Sequence, residues 1–106
     1  MGTMSLHHPA TDELQLTAVL HALSDPVRMQ IVRTLDRDPT PRACGSFQLE
    51  VTKSTSTHHF RVLREAGVIR QQLLGTSKLT TLRREDLDER FPGLLDAVLG
   101  AAAVPL

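Results

Sequence analysis

Residues 52–67 read Thr-Lys-Ser-Thr-Ser-Thr-His-His-Phe-Arg-Val-Leu-Arg-Glu-Ala-Gly, and the fold turns on how this stretch is arranged. On a helix, successive side chains point about 100° apart. That spacing gathers Ser56, His59, Phe60, Leu63 and Ala66 on one side, and Ser54, Thr57, His58, Arg61 and Glu65 on the other. The apolar residues sit in the C-terminal half; the N-terminal half carries hydroxyls, a lysine and a histidine. Gly67 supplies the stop. A helix of this kind is fastened by its trailing half and free to project its leading turns. An ordinary amphipathic surface helix has the same periodicity, so the neighbouring segments must decide.

Downstream, Val68 to Leu74 and Lys78 to Leu82 read as two strands around Gly75-Thr76-Ser77, a hairpin with glycine at its turn. Upstream, Ser24-Asp25-Pro26 is a helix start. An acidic or hydroxyl cap satisfies free amides, and proline at the first helical position gives up a donor that had no partner. The helix it opens runs from Pro26 to about Leu35, burying Val27, Ile31, Val32 and Leu35. Before it, Leu16, Val19, Leu20 and Leu23 follow helical spacing, in a helix capped by Thr11 or Asp12. Asp36 to Pro41 is a loop, and Ala43 to Val51 is read as a short helix, although Phe47, Leu49 and Val51 alternate as a strand would. Arg84 to Arg90 makes a polar helical turn or two, and Pro92-Gly93 opens a last helix to about Ala103 with Leu94, Leu95, Val98 and Leu99 on one face. The expected class is mainly α with a small β-hairpin wing: an N-terminal flexible arm over residues 1–10, then one domain over residues 11–103.

Composition narrows the function. A chain of 106 residues fits one core. With three Phe, no Trp and no Tyr, the core is aliphatic, and stacking on single-stranded bases has little to work with. One cysteine, Cys44, excludes an intramolecular disulfide framework. The first ten residues lack a signal-peptide pattern, and no apolar run approaches the roughly 18 residues of a membrane span, so a cytoplasmic protein without a membrane partner is expected. The formal net charge is zero, but the charges are segregated. Residues 51–84 carry Lys53, Arg61, Arg64, Arg70, Lys78, Arg83 and Arg84 against Glu65, a net of +6, while residues 1–52 carry −2 and residues 85–106 carry −4. A basic module between acidic flanks is what a phosphate-facing surface requires.

Ala22-Leu23-Ser24-Asp25-Pro26-Val27-Arg28 and Ser54-Thr55-Ser56-Thr57-His58-His59-Phe60-Arg61-Val62-Leu63-Arg64-Glu65-Ala66-Gly67-Val68-Ile69 resemble two motifs of the ArsR/SmtB-like bacterial repressors: a helix start and a recognition helix. The resemblance covers roughly residues 16–99. It implies a winged helix-turn-helix fold that dimerises through its terminal helices. The residues agree, since segments 14–23 and 94–99 carry more apolar surface than one small core absorbs. The interface expected from Leu16, Val19, Leu20, Leu94, Leu95, Val98 and Leu99 follows. Two departures concern metals. The family's metalloid sensors place paired cysteines before the recognition helix, where Pro41-Arg42-Ala43-Cys44 offers one thiol. The family's other site uses Asp and His on the last helix, which here has Asp96 and no His. A metal needs about three or four donors in a defined geometry, so neither a metal nor another cofactor is expected. Gly45 also stands where relatives place an apolar core residue.

The expectation is a homodimeric regulator, a repressor of a pseudo-palindromic operator in double-stranded DNA, responding to a small-molecule or redox effector if to any. Thr52, Ser54 and Thr55 would meet a phosphate at the helix start. Lys53, Thr57, His58 and Arg61 are candidates for the major groove, with Lys53 and Arg64 suited to phosphate; Arg70 and Lys78 would reach flanking phosphates from the wing. His59 faces the buried side. His58 and His59, about 100° apart on a helix, do not form a zinc pair; His7 and His8 lie in the arm. Cys44 is read as an inert small residue. An enzyme is disfavoured, because no nucleophile motif, phosphate loop or metal cluster accompanies the Ser, His and Asp present. A dimeric protein-interaction module without DNA binding is the remaining rival, favoured by the neutral net charge and the uncharged wing tip.

Overall fold

A computed structural model describes residues 6–103. Helix α1 (Leu16–Leu23) and helix α2 (Pro26–Arg37) are separated by Ser24 and Asp25 alone. The Asp25 carboxylate caps α2, accepting from the amides of Val27 at 2.8 Å and Arg28 at 3.0 Å, with Pro26 in the first turn where its missing N–H costs nothing. Burial alone would raise the Asp25 pKa, but the hydrogen bonds from the Arg28 and Val27 amides and the Arg28 charge outweigh it and hold the carboxyl below its usual value.

Arg28 is buried, 7% exposed, and its guanidinium makes three hydrogen bonds to two other elements. Nε donates to the Ala22 carbonyl at 2.7 Å and Nη2 to the His21 carbonyl at 3.3 Å, both at the end of α1. A helix leaves its last carbonyls without intrahelical donors, and Arg28 supplies them. Nη1 lies 3.0 Å from Nδ1 of His59. A guanidinium can only donate, so His59 accepts, as a neutral ring with its proton on Nε2. His59 belongs to α3 (Lys53–Glu65), so one side chain ties α1, α2 and α3 together.

Where a single first helix is expected from Thr11, the chain forms one 3₁₀ turn (Thr11–Glu13), then extends through Leu14 and Gln15 before α1. Leu14 is the reason. It is 1% exposed and seats against Gly67, whose φ of 85° ends α3 and whose Cβ, were there one, would collide with Leu14 Cδ2. Continuing the helix would carry Leu14 away from that seat.

The short helix expected over Ala43–Val51 is not formed. Arg42–Ala43 is a two-residue strand, β1, followed by a 3₁₀ turn at Cys44–Ser46 and irregular chain to Val51. Gly45 and Ser46 have poor helix propensity, and the core is filled by Phe47, edge-on to Phe60 with ring centroids 5.3 Å apart. Strands β2 (Ile69–Leu74) and β3 (Ser77–Leu82) form the hairpin, with Leu74 opposite Ser77. The turn is the two residues Gly75 and Thr76, and Gly75 takes its φ of 63°. β1 adds to the far edge of β3, giving an antiparallel sheet in the order β1-β3-β2.

Helices α4 (Arg84–Arg90) and α5 (Leu94–Ala102) close the domain. Arg84 joins them to α2, reaching Asp96 at 2.6 Å, Asp36 at 3.6 Å and Asp88 at 3.9 Å. Ile31, Val32, Leu63, Val68, Ile69 and Leu87 lie at the centre of the core. Val19 and Leu95, expected on a partner surface, are also core, at 1% and 2% exposed. The arm expected over residues 1–10 is tied down at its described end, where His8 and Pro9 are hydrogen-bonded to the body.

Replacing Arg28 with Ala takes the side-chain donor from the Ala22 carbonyl and from a buried imidazole, while the His21 carbonyl keeps Ser24, and should cost about 2–4 kcal/mol in urea unfolding. Arg28→Lys should recover only part of it, since an ammonium cannot span three acceptors. A change within about 0.5 kcal/mol of wild type, the range of an ordinary surface substitution, would contradict the assignment.

Candidate nucleic-acid interface

Thr52 stands just before α3 in an extended conformation, and its Oγ1 accepts from the Thr55 amide at 3.3 Å. Thr57 Oγ1 donates back to the Lys53 carbonyl at 2.9 Å. These local bonds stiffen the first turns. Phe60 and Leu63 are buried, as is His59 through Arg28, so the trailing half is held by packing and by one charge-assisted bond. Lys53, Ser54, Thr55, Thr57, His58 and Arg61 are all exposed. Their hydrogen bonds stay within α3 and its cap among the described residues, and the macrodipole leaves the positive end of α3 facing outward.

Between α3 and the hairpin lies an open cleft of about 700 Å³. Lys53, Arg61 and Arg64 line it from the helix and Lys78 from β3, and no carboxylate lines it. Thr57, Gln71 and Leu73 complete much of its wall. Side chains alternate along a strand, so Gln71 and Leu73 face the cleft while Arg70 faces away.

Arg70 therefore stands apart from the rest of the expected set. Its guanidinium lies 3.7 Å from Asp86, and Arg83, buried, lies 2.9 Å from the same carboxylate. The Asp86 carboxyl is held below its usual value by the Thr11 hydroxyl first, then, against a burial cost, by Arg83 and Arg70. Together with the Arg84 cluster, these pairs consume three of the seven basic residues in the 51–84 segment. Lys53, Arg61, Arg64 and Lys78 remain, and all four line the cleft. A chain of zero net charge thus concentrates unopposed positive charge at one place.

Arg64 is half-buried and reaches across the cleft floor, its Nη1 donating to Gln71 Oε1 at 3.0 Å. Gln71, 1% exposed, also donates from Nε2 to Cys44 Sγ at 3.1 Å, and Cys44 Sγ lies 3.2 Å from Thr80 Oγ1. Sequence reasoning missed this bridge. Gln71 reads as an exposed wing residue, and only its place two residues after the apolar Ile69, on the same strand face, hinted at burial. Among the described residues no three of His, Cys, Asp and Glu converge as a metal would need.

The family model for a helix-turn-helix domain matches residues 23–72. The uncharacterized HTH-type transcriptional regulator YceK of Bacillus subtilis (strain 168) is 30% identical over 90 residues, spanning 83% of this chain and 90% of its own. Among solved structures, the ArsR family transcriptional regulator RHA00566 superposes with a TM-score of 0.63 at 20% identity, covering 82% of this chain and 90% of that one. The transcriptional repressor BigR from Xylella fastidiosa gives a TM-score of 0.63 at 22% identity, covering 85% and 88%. These two likenesses establish the fold.

The cap at the leading end of α3 is open to test. Thr52→Ala should cost about 1 kcal/mol in chemical denaturation, and Thr52→Ser should restore it. Equal stability of the two variants would show that the hydroxyl does not hold the helix start.

Proposed function

This chain belongs to the helix-turn-helix transcriptional regulators, in their ArsR-like winged form, and from that premise we propose that it is a homodimeric repressor of a pseudo-palindromic operator in the cytoplasm. The observation that carries the reading is the cation-lined cleft beside the exposed leading turns of α3. The width of a B-DNA major groove admits one helix, and a helix N-terminus with free hydroxyls suits a phosphate. Ser54 and Thr55 meet that phosphate, with Thr52 holding the turn. Lys53, Thr57, His58 and Arg61 enter the groove, and Arg61 reads a guanine edge through its two parallel N–H donors. Arg64 and Lys78 stand over the phosphates beside the cleft, and Arg70 reaches a more distant one only by leaving Asp86.

The dimer is supported by the apolar side chains that the monomer leaves uncovered. Leu16 and Leu20 on α1 are 44% and 42% exposed, and Leu94, Val98 and Leu99 on α5 are half-buried. Apolar side chains on the two terminal helices are the surface a second copy would cover, and two-fold symmetry would then present two α3 helices about one DNA turn apart. Repression follows most simply from occupancy of promoter DNA, and the structurally similar BigR is a repressor. The rival of a winged module without DNA binding gains nothing from a cleft whose four cations lack acidic neighbours.

Binding to a duplex carrying the chain's own promoter, measured by fluorescence anisotropy across a salt series, tests the proposal. Affinity should fall steeply with salt, with a slope of about −0.9 for each phosphate contact. Arg61→Ala should cost about 1–3 kcal/mol on the preferred sequence and much less on unrelated DNA. Equal loss on every sequence would remove Arg61 from base reading, and no binding by wild type would overturn the DNA-binding proposal. Separately, Leu20→Glu should yield folded monomer in sedimentation, with weakened operator binding; a dimer of undiminished stability would place the interface elsewhere.

A further inference from the structure

We infer that residues 6–10 form a strap along the free edge of the wing, in which His8 is a positioning residue that clasps β2 and so sets the wing against the recognition helix. The inference rests on the reading of the α3–wing cleft as the DNA surface. β2 is an edge strand, with β3 on one side and nothing of the sheet on the other. Edge strands carry amides without ladder partners. The Gln71 amide is met by Nε2 of His8 at 2.9 Å. The strap is anchored on either side of that bond: the Pro9 carbonyl accepts from Nη1 of buried Arg83 at 2.7 Å, and Leu6 lies at the wall of the cleft.

Gln71 makes this edge contact matter. Its backbone is held by the strap, its Oε1 by Arg64 of α3, and its Nε2 by Cys44 ahead of α3. One residue thus joins the strap, the wing and both ends of the approach to the recognition helix. Releasing the strap frees the wing strand at the point where it is coupled to α3, and a wing that must be re-ordered on binding costs affinity.

The clasp works in one protonation state. To accept from Gln71, Nε2 must be bare, which leaves the ring proton on Nδ1. A protonated ring would turn a donor toward the Gln71 amide. The charged groups facing it are Arg70 from β2, Arg64 from α3 and Arg83 from the end of β3, all cationic. Burial first, then these three guanidiniums, lower the His8 pKa below 6.5, against the opposing pull of the Leu6 carbonyl. With the clasped value depressed, the released state binds protons more readily. The clasp is therefore intact above pH 6.5 and weakens as pH falls below that value.

Full-length wild type, His8→Gln and His8→Ala separate the possibilities, since a glutamine amide can accept from Gln71 but does not titrate. In the free proteins, the Gln71 amide should be protected from hydrogen exchange in wild type at pH 7.5 and less protected at pH 5.5. His8→Gln should keep it at both, and His8→Ala should lack it at both. On the promoter duplex at pH 7.5, His8→Ala should bind about fivefold more weakly, the worth of one hydrogen bond. The ratio of His8→Gln to wild-type affinity should rise as pH falls, a comparison that cancels any pH effect the two proteins share. Equal Gln71 protection in His8→Ala, or identical pH profiles for wild type and His8→Gln, would overturn the clasp. Failure of every variant to bind duplex, with Gln71 protection still following His8, would overturn the DNA reading and the positioning role with it, but not the contact itself.

Discussion

The structure depends on the guanidinium of Arg28. A buried charge is tolerated only where its hydrogen bonds are satisfied, and here the acceptors are two carbonyls at the end of α1 and the ring of His59 on α3. The same residue's amide helps cap its own helix through Asp25. The motif from Ala22 to Arg28 therefore describes a junction in which a two-residue connection between helices is stabilised from inside. Because the third acceptor lies midway along α3, the junction also fixes where α3 crosses the domain, and the packing of Phe60 and Leu63 has only to confirm that crossing.

From that constraint the rest follows in order. A helix pinned at its centre and trailing half, and ended by Gly67 against Leu14, has its leading turns left over. The acidic residues are placed to keep those turns positive. Asp86 takes Arg83 and Arg70 at the base of the wing, while Asp36, Asp88 and Asp96 surround Arg84 on the far side. Apart from that of buried Arg83, these exposed ion pairs add little stability. What they do is sort charge within residues 51–84, so that the cations there without acidic partners among the described residues face one cleft.

Much of this was legible in the sequence for physical reasons. The helix over Lys53–Glu65 and its stop declare themselves because the apolar spacing and the glycine agree. The hairpin does so because Gly75 must take a positive φ. The segment from Ala43 to Val51 did not, because a tertiary demand, Phe47 against Phe60, overrides weak local preference around Gly45. The break at Leu14 was hidden because its cause is Gly67, more than fifty residues away in the chain. Burial of Val19 and Leu95 could not be separated from that of Leu16 and Leu20 by periodicity, since an apolar stripe does not say which of its edges meets the core. Gln71, Arg64 and His8 were missed as a set because polar residues at long separations give no pattern at all.

Amide hydrogen exchange of the free protein and of its complex with a promoter duplex reads the central claim most directly. A recognition helix presented by its buried half should show protection on binding across residues 52–61 and along the wing around residues 71–78, with the faces of α1 and α5 unchanged. Protection confined to α1 and α5, with the leading turns of α3 exchanging as before, would contradict the account.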